Sequence, residues 1–235
     1  MQNDTTRADS VVAMEITPLG DSALIIRVGD SLAEVLATTR KLEGAAIEGV
    51  SDIAPAFASV AIFFDGARDL ATCVAEVRQV LTTKARFQSK TSKPNKARLH
   101  RVPVCYDPEF ALDLAAVAEH CRLSPNELVK RHAAAEYRVR CLGFTPGFPY
   151  LSGLPRILAT PRRPTPRISV PAGSVAIGGA QAGIYPLSSP GGWNVIGRTP
   201  LRLFDAKREP AALLRAGDRL RFITINRDQF QQWPA

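Results

Sequence analysis

The sequence predicts an α+β protein in two parts, a small ferredoxin-like layer followed by a β domain rich in Gly and Pro. Three observations lead there. Residues 22–81 alternate β-rich runs with amphipathic helical stripes in the order β-α-β-β-α. Residues 84–98, KARFQSKTSKPNKAR, are basic, polar and almost without apolar side chains, the composition of a linker, with a charged contact loop as the alternative. Residues 138–204 set apolar pairs and triplets between glycines and prolines. That pattern forbids long helices and favours short strands joined by tight, shaped loops. The expected domains are therefore 1–83 and 99–235, joined by 84–98.

In chain order, Met1 to Ser10 is polar and has no apolar core of the signal-peptide type, so a frayed tail on a cytoplasmic protein is expected. Gly20-Asp21 turns the chain into a first strand, Ser22–Val28. Ser31 is placed to cap a helix, with Glu34 completing a capping box. Leu32, Val35, Leu36 and Leu42 form its apolar stripe, and Gly44 is positioned to end it. Ile47–Ile53 and Ser59–Phe64 read as two further strands. Asp69 caps a second helix through Leu81, with Leu70, Val74, Val77 and Leu81 on one face. This half has no His and no catalytic constellation.

After the linker, Leu99–Tyr106 alternates as a strand, and Pro103 within it argues for an edge or a bulge. Leu112–Cys121 reads as a helix. Ser124-Pro125-Asn126-Glu127 is a clear helix start, with Ser124 as cap, Pro125 at the first helical position and Glu127 completing a capping box. Leu128 and His132 stand four positions apart and share a face of that helix. Glu136–Leu142 resumes strand character, and Arg219–Ile225 alternates cleanly and closes the sheet.

The whole chain sets further bounds. It has 235 residues, enough for one large or two small domains, and no apolar run long enough to span a bilayer. Its four cysteines, Cys73, Cys105, Cys121 and Cys141, form no Cys-x-x-Cys ligand pair and read as buried thiols in a reducing compartment. The three histidines have no metal-ligand spacing, so no metal site is expected. Net charge is +8, but residues 1–83 hold 6 Lys+Arg against 12 Asp+Glu, while residues 84–235 hold 24 against 10. No nucleic-acid module accompanies the basic half. Its arginines are scattered among Gly-Pro loops, which suits a small anionic substrate or an acidic partner protein, with plain solubility as the bland alternative. There is no Gly-x-x-x-x-Gly-Lys-[Ser/Thr] and no Gly-x-Gly-x-x-Gly after a strand, so a reaction that uses ATP needs another chain or an unfamiliar phosphate site.

The residues between 142 and 200 carry a set of motifs in order: Gly143-Phe144, Pro146-Gly147-Phe148-Pro149-Tyr150-Leu151, Gly183-Ile184-Tyr185-Pro186 and Ser189-Pro190-Gly191-Gly192-Trp193. On these the chain resembles the allophanate hydrolase subunit 1 family, which includes the 5-oxoprolinase B subunit and the sporulation-kinase inhibitor KipI. The resemblance runs from about Thr17 to about Ile225. It implies that the second half is a cyclophilin-like β-barrel. It also implies one member of an ATP-dependent 5-oxoprolinase complex. That member works with the A and C subunits, with ATP as co-substrate of the complex, to open 5-oxo-L-proline to L-glutamate. The C subunit belongs to the allophanate hydrolase subunit 2 family. Two alternatives stay open within the family: an inhibitor that docks on a sensor histidine kinase, and a component of allophanate hydrolysis or urea degradation.

Candidate site residues follow from both lines of reasoning. His132 is a candidate base or orienting group; its structural alternative is a His bonded to backbone at a helix end. Arg162, Arg163, Arg167 and Arg198 are anion-binding candidates, because a planar guanidinium fork suits carboxylate or phosphate. Arg198 stands out because Gly197-Arg198-Thr199-Pro200 lies in the signature region; its alternative is a surface charge or a partner of Asp205. Phe144, Pro146, Phe148, Tyr150, Tyr185 and Trp193 line either a binding face or a barrel core. Gln181 and Ser189 are polar groups among small residues, suited to orienting an amide. Ser189 lacks a Gly-x-Ser-x-Gly elbow, so a serine nucleophile is not expected. The chain departs from the family at Ala180-Gln181-Ala182-Gly183, where many relatives read Gly-Gln-Thr-Gly.

Overall fold

The computed structural model describes residues 14–66, 68–83 and 97–234. The chain divides into two compact units, Met1–Thr91 and Ser92–Ala235. The expected tail over residues 1–10 and most of the expected linker, residues 84–96, lie outside the described residues.

The first unit runs β1 (Ile16–Pro18), β2 (Ala23–Arg27), α1 (Leu32–Ala45), β3 (Val50–Pro55), β4 (Ser59–Phe64) and α2 (Leu70–Thr82). Its sheet order is β1-β2-β4-β3, with every neighbour antiparallel. Helix α1 carries the chain from β2 past β4 to β3, which is the split β-α-β of a ferredoxin-like layer. Sequence reasoning placed no strand ahead of β2; β1 fills that edge. Ser31 Oγ accepts from the Glu34 N–H at 3.4 Å, as its cap position predicts. Gly44 does not end α1. The helix passes through it to Ala45 and turns at Ala46, which takes the left-handed φ of 46°. Strand β3 starts at Val50 rather than Ile47, because Gly49 at φ +72° turns the chain just ahead of it. Asp69 caps α2 by accepting from Ala71 and Thr72 N–H groups, and Lys41 Nζ donates to the Leu81 and Thr83 carbonyls at its other end, both at 2.7 Å. Leu24, Ile26, Val35, Leu42, Val60, Ile62, Cys73 and Val77 make the buried core of this unit.

The second unit opens with β5 (Leu99–Cys105), α3 (Leu114–His120), α4 (Pro125–Ala134), β6 (Tyr137–Leu142) and β7 (Pro149–Ser152). A 3-10 turn at Arg156–Leu158 leads to β8 (Arg167–Val170), β9 (Ser174–Gly178), β10 (Gln181–Ile184), β11 (Ser189–Gly191) and β12 (Asn194–Arg198). β13 (Arg219–Ile225) and α5 (Arg227–Gln231) follow. Seven strands close a barrel in the order β10-β7-β6-β13-β5-β12-β9, and β8 pairs with β11 in a separate ribbon. Barrel neighbours are antiparallel except β5 and β13, which run parallel from Leu99–Arg219 to Cys105–Ile225. Pro103 is therefore not on an edge strand. It faces Ile223 of β13, and on the other flank β12 meets β5 only at Cys105, so that flank demands few N–H donors.

Strand alternation sorts the side chains into two clusters. Val104, Val139, Leu151, Ile177, Ala182, Ile184, Ile196 and Phe222 fill the interior, joined by Val117 of α3 and Leu128 of α4. The intervening positions Tyr150, Ala176 and Val195 belong to a second cluster on the other face, with Phe148, Val170, Tyr185 and Trp193. Helix α4 starts as predicted, with Ser124 Oγ accepting from Glu127 N–H at 3.2 Å. The capping box is only half formed, since the Glu127 carboxylate accepts from Arg131 Nε at 2.8 Å instead of returning to Ser124.

Candidate functional site

The second cluster gathers the signature aromatics. The 143–148 loop is closed by its own backbone: Gly143 N–H donates to Phe148 O at 3.1 Å and Phe148 N–H to Thr145 O at 3.0 Å. Within it Phe144 takes a left-handed φ of 70°, a strained state for an aromatic residue, and the residue stands 60% exposed. Its ring meets Phe148 at 5.5 Å and Tyr185 at 6.2 Å, both edge-on. Phe148 in turn meets Tyr150 at 5.0 Å, Tyr185 at 5.2 Å and Trp193 at 5.6 Å in the same edge-on manner. The glycines make room. A Cβ on Gly183 would lie 2.7 Å from Phe148 Cζ, and one on Gly178 2.5 Å from the Trp193 ring. The Gly-aromatic pattern of the sequence is thus explained: rings lie on bare backbone. Phe148, Tyr185 and Trp193 are buried, but in this second cluster and not in the barrel interior, whereas Phe144, Tyr150 and Pro146 reach the surface.

Beside this cluster runs the segment that carries Arg162, Arg163 and Arg167. Two of those arginines are already engaged. Asp113, only 4% exposed at the start of α3, accepts from Arg163 Nη1 at 2.8 Å and from Arg167 Nη1 and Nη2, each at 2.8 Å. It also accepts the Val195 N–H at 2.7 Å. Burial by itself pushes its carboxyl upward, but the Arg167 guanidinium, the Val195 N–H and the Arg163 charge outweigh that and hold it below the ordinary range. Arg163 and Arg167, expected as anion-binding groups, are therefore committed within the fold. Arg162 is not. It is exposed, its Cζ lies 5.7 Å from the centre of the Trp193 ring, and no carboxylate among the described residues pairs with it. Its charge reaches both neighbouring phenols: burial raises Tyr150 and Tyr185, and Arg162 opposes the rise in each. The segment is pinned by Asn194 Nδ2 donating to Pro161 O at 2.8 Å and by Arg163 N–H donating to Gly192 O at 2.7 Å.

The remaining candidates lie elsewhere. His132 is fully buried at the interior end of α4. Its Nδ1 is 2.8 Å from Tyr106 Oη, its ring stacks on Phe222 at 4.5 Å, and Tyr137 Oη donates to its carbonyl at 3.0 Å. Its Nε2 is buried with no partner among the described residues, and burial lowers its pKa to about 3. It is a neutral core imidazole packed among interior-cluster rings, and none of its ring contacts among the described residues is with the aromatic cluster. Arg198 Nε donates to Ala172 O at 2.8 Å and steadies the turn before β9. It does not pair with Asp205, which Arg202 takes at 3.3 Å. Gln181 sits half-exposed opposite Gly178 in the β9–β10 hairpin. Ser189 lies opposite Val170, its Oγ buried without a hydrogen-bond partner among the described residues. Ala182 faces the barrel interior, so a hydroxyl at this position would point away from the aromatic face. Asp113 escaped sequence reasoning because an Asp opening a helix reads as a cap; its arginines follow 50 and 54 positions later, and no local pattern links them.

Comparison with known proteins agrees with the fold. Residues 14–214 match the model of the carboxyltransferase domain, subdomain C and D. The 5-oxoprolinase B subunit of Bacillus subtilis is 38% identical over 234 residues, 94% of this chain and 97% of that protein. The crystal structure of TTHA0988 superposes with a TM-score of 0.73 at 35% identity, covering 87% of this chain but 40% of that one. The urea carboxylase of Kluyveromyces lactis shares the fold at 19% identity, with a TM-score of 0.68 over 93% of this chain and 22% of that one.

Proposed function

Since this chain belongs to the carboxyltransferase domain, subdomain C and D, family, we propose that it is the B subunit of an ATP-dependent 5-oxoprolinase. In this role it acts with the A and C subunits to convert 5-oxo-L-proline to L-glutamate. Near full-length similarity to a protein that bears the name of this 5-oxoprolinase component supports the reading. The observation that carries it is the rigid aromatic face with Arg162 beside it, unpaired with any carboxylate among the described residues.

The chemistry fits such a face. A lactam is a poor electrophile, because its nitrogen donates into the carbonyl. Phosphorylation of the amide oxygen supplies a leaving group and leaves the carbon electron-poor. The substrate carboxylate and the transferred phosphate are both anionic, so a cationic, partly dry surface stabilises the charge that develops. Arg162 and the basic second half supply positive charge. Phe144, Tyr150 and Pro146 offer apolar area against a substrate ring or a partner surface, and Gln181 and Ser189 lie on strands β10 and β11. His132 supports the barrel core beneath.

The test is reconstitution. The chain alone, with ATP and 5-oxo-L-proline, should release neither ADP nor glutamate. Mixed with the A and C subunits it should release both. Turnover by the isolated chain sinks the proposed role, and so does a complete mixture that still forms no glutamate.

A further inference from the structure

Three guanidinium groups lie within six residues of one segment, and a single buried carboxylate divides them. Asp113 binds Arg163 through one contact and Arg167 through two, and its fourth contact is the Val195 N–H. Its acceptor capacity is thereby filled. Arg162, one residue from a clamped neighbour, is left outside the network, over the face of Trp193.

We propose that Arg162 on Trp193 is a preformed receptor for a small carboxylate ligand, held in place by Asp113 as a positioning residue. The Arg162 guanidinium lies within cation–π reach of the indole at 5.7 Å, no carboxylate among the described residues takes its N–H groups, and their planar fork matches the two oxygens of a carboxylate. The phenols of Tyr150 and Tyr185 lie near enough to feel the Arg162 charge. The half-exposed Tyr150 ring, 5.9 Å from Trp193, adds an apolar wall for the body of the ligand. Little backbone ordering remains to be done on binding. Pro161, Pro164 and Pro166 stiffen the backbone, Asn194 and Gly192 hold it by hydrogen bonds, and Asp113 fixes the flanking side chains. Lost freedom is a main cost of binding a small ligand, so this stiffness favours affinity. The inference rests on the functional reading above only in its choice of ligand, and it is tested on the chain alone.

Trp193 supplies the signal, because the only other tryptophan is Trp233. In a Trp233→Phe background, Trp193 emission is followed while L-5-oxoproline is added, and separately its uncharged amide, 5-oxoprolinamide. A saturable change with the acid and none with the amide at the same concentration is expected. Arg162→Gln should weaken the response about tenfold, as loss of a charge-assisted fork requires. Arg162→Lys should recover only part of it. Asp113→Asn should weaken it too, by releasing the flanking arginines. If Asp113→Asn fails to fold, Arg162→Gln still decides, because Arg162 is exposed and its loss leaves the core intact. An equal response to acid and amide overturns the receptor, as does full binding in Arg162→Gln. Binding by this chain together with a reconstituted complex that never opens the lactam sinks the enzyme reading and leaves the receptor standing. Turnover without any binding signal does the reverse.

Discussion

His132 shows how one side chain can look catalytic in a sequence and be structural in the fold. Its spacing from Leu128 correctly put both on one helix face, but spacing cannot tell whether that face meets a cleft or a closed core. Burial sets the answer and makes a measurable consequence. The imidazole pKa is lowered from 6.5 to about 3, so the unfolded chain binds a proton that the folded chain refuses across that window. Stability from this group is complete above the unfolded value and is lost as pH falls toward 3, at about 1.4 kcal/mol per pH unit. Between pH 7.5 and 5.0 the protein should therefore lose about 2 kcal/mol that His132→Gln does not lose, read from urea midpoints. A variant with the same pH slope as the parent would place the titration elsewhere. Arg198 makes a second case. Its guanidinium holds the Ala172 carbonyl, so Arg198→Lys should cost about 1 kcal/mol of stability, where a solvated charge would cost nothing measurable. Equal melting of parent and variant would leave the hydrogen bond without energetic weight.

Local rules read some elements well. Ser31, Asp69 and Ser124 each cap the helix assigned to them, because a cap bond spans only two or three residues and both partners stand in the same short stretch. Ser124→Ala should cost about 1 kcal/mol, checked by denaturant unfolding. Strand β1 and the β8–β11 ribbon were not legible, since strands of three or four residues with prolines among them carry no period. The glycines of the signature were legible as loop punctuation but not as ring supports, because a ring and the backbone beneath it come from different strands. Gly183→Ala tests that role. Its Cβ would meet Phe148 at 2.7 Å and Trp193 at 3.0 Å, two buried rings with little room to yield. A loss of about 1–3 kcal/mol is expected, with an altered near-ultraviolet signal from the aromatic cluster. An unchanged signal would mean that the rings are looser than their packing indicates.

For the whole molecule, the β-α-β-β-α order announced the first unit, and the Gly-Pro pattern announced a β domain. Barrel closure was out of reach from patterns alone, because strand order depends on contacts far apart in the sequence. The two units draw on separate cores, one from residues 24–77 and one from residues 102–222. A chain that starts at residue 97 should accordingly fold cooperatively, with its aromatic near-ultraviolet spectrum intact; a molten spectrum would show that the barrel needs the first unit. The parallel pairing of β5 with β13 has a consequence for synthesis. The Arg98 N–H reaches the Asp218 carboxylate across 120 positions, and β13 also lies against β6. While the ribosome is still making residues 143–218, β5 and β6 have no strand to seat between them, and each offers an open edge to any other chain nearby. The nascent barrel must therefore be sheltered until its last strand emerges, and a stop codon ahead of Arg219 would yield a chain that aggregates, however well its other six barrel strands are encoded.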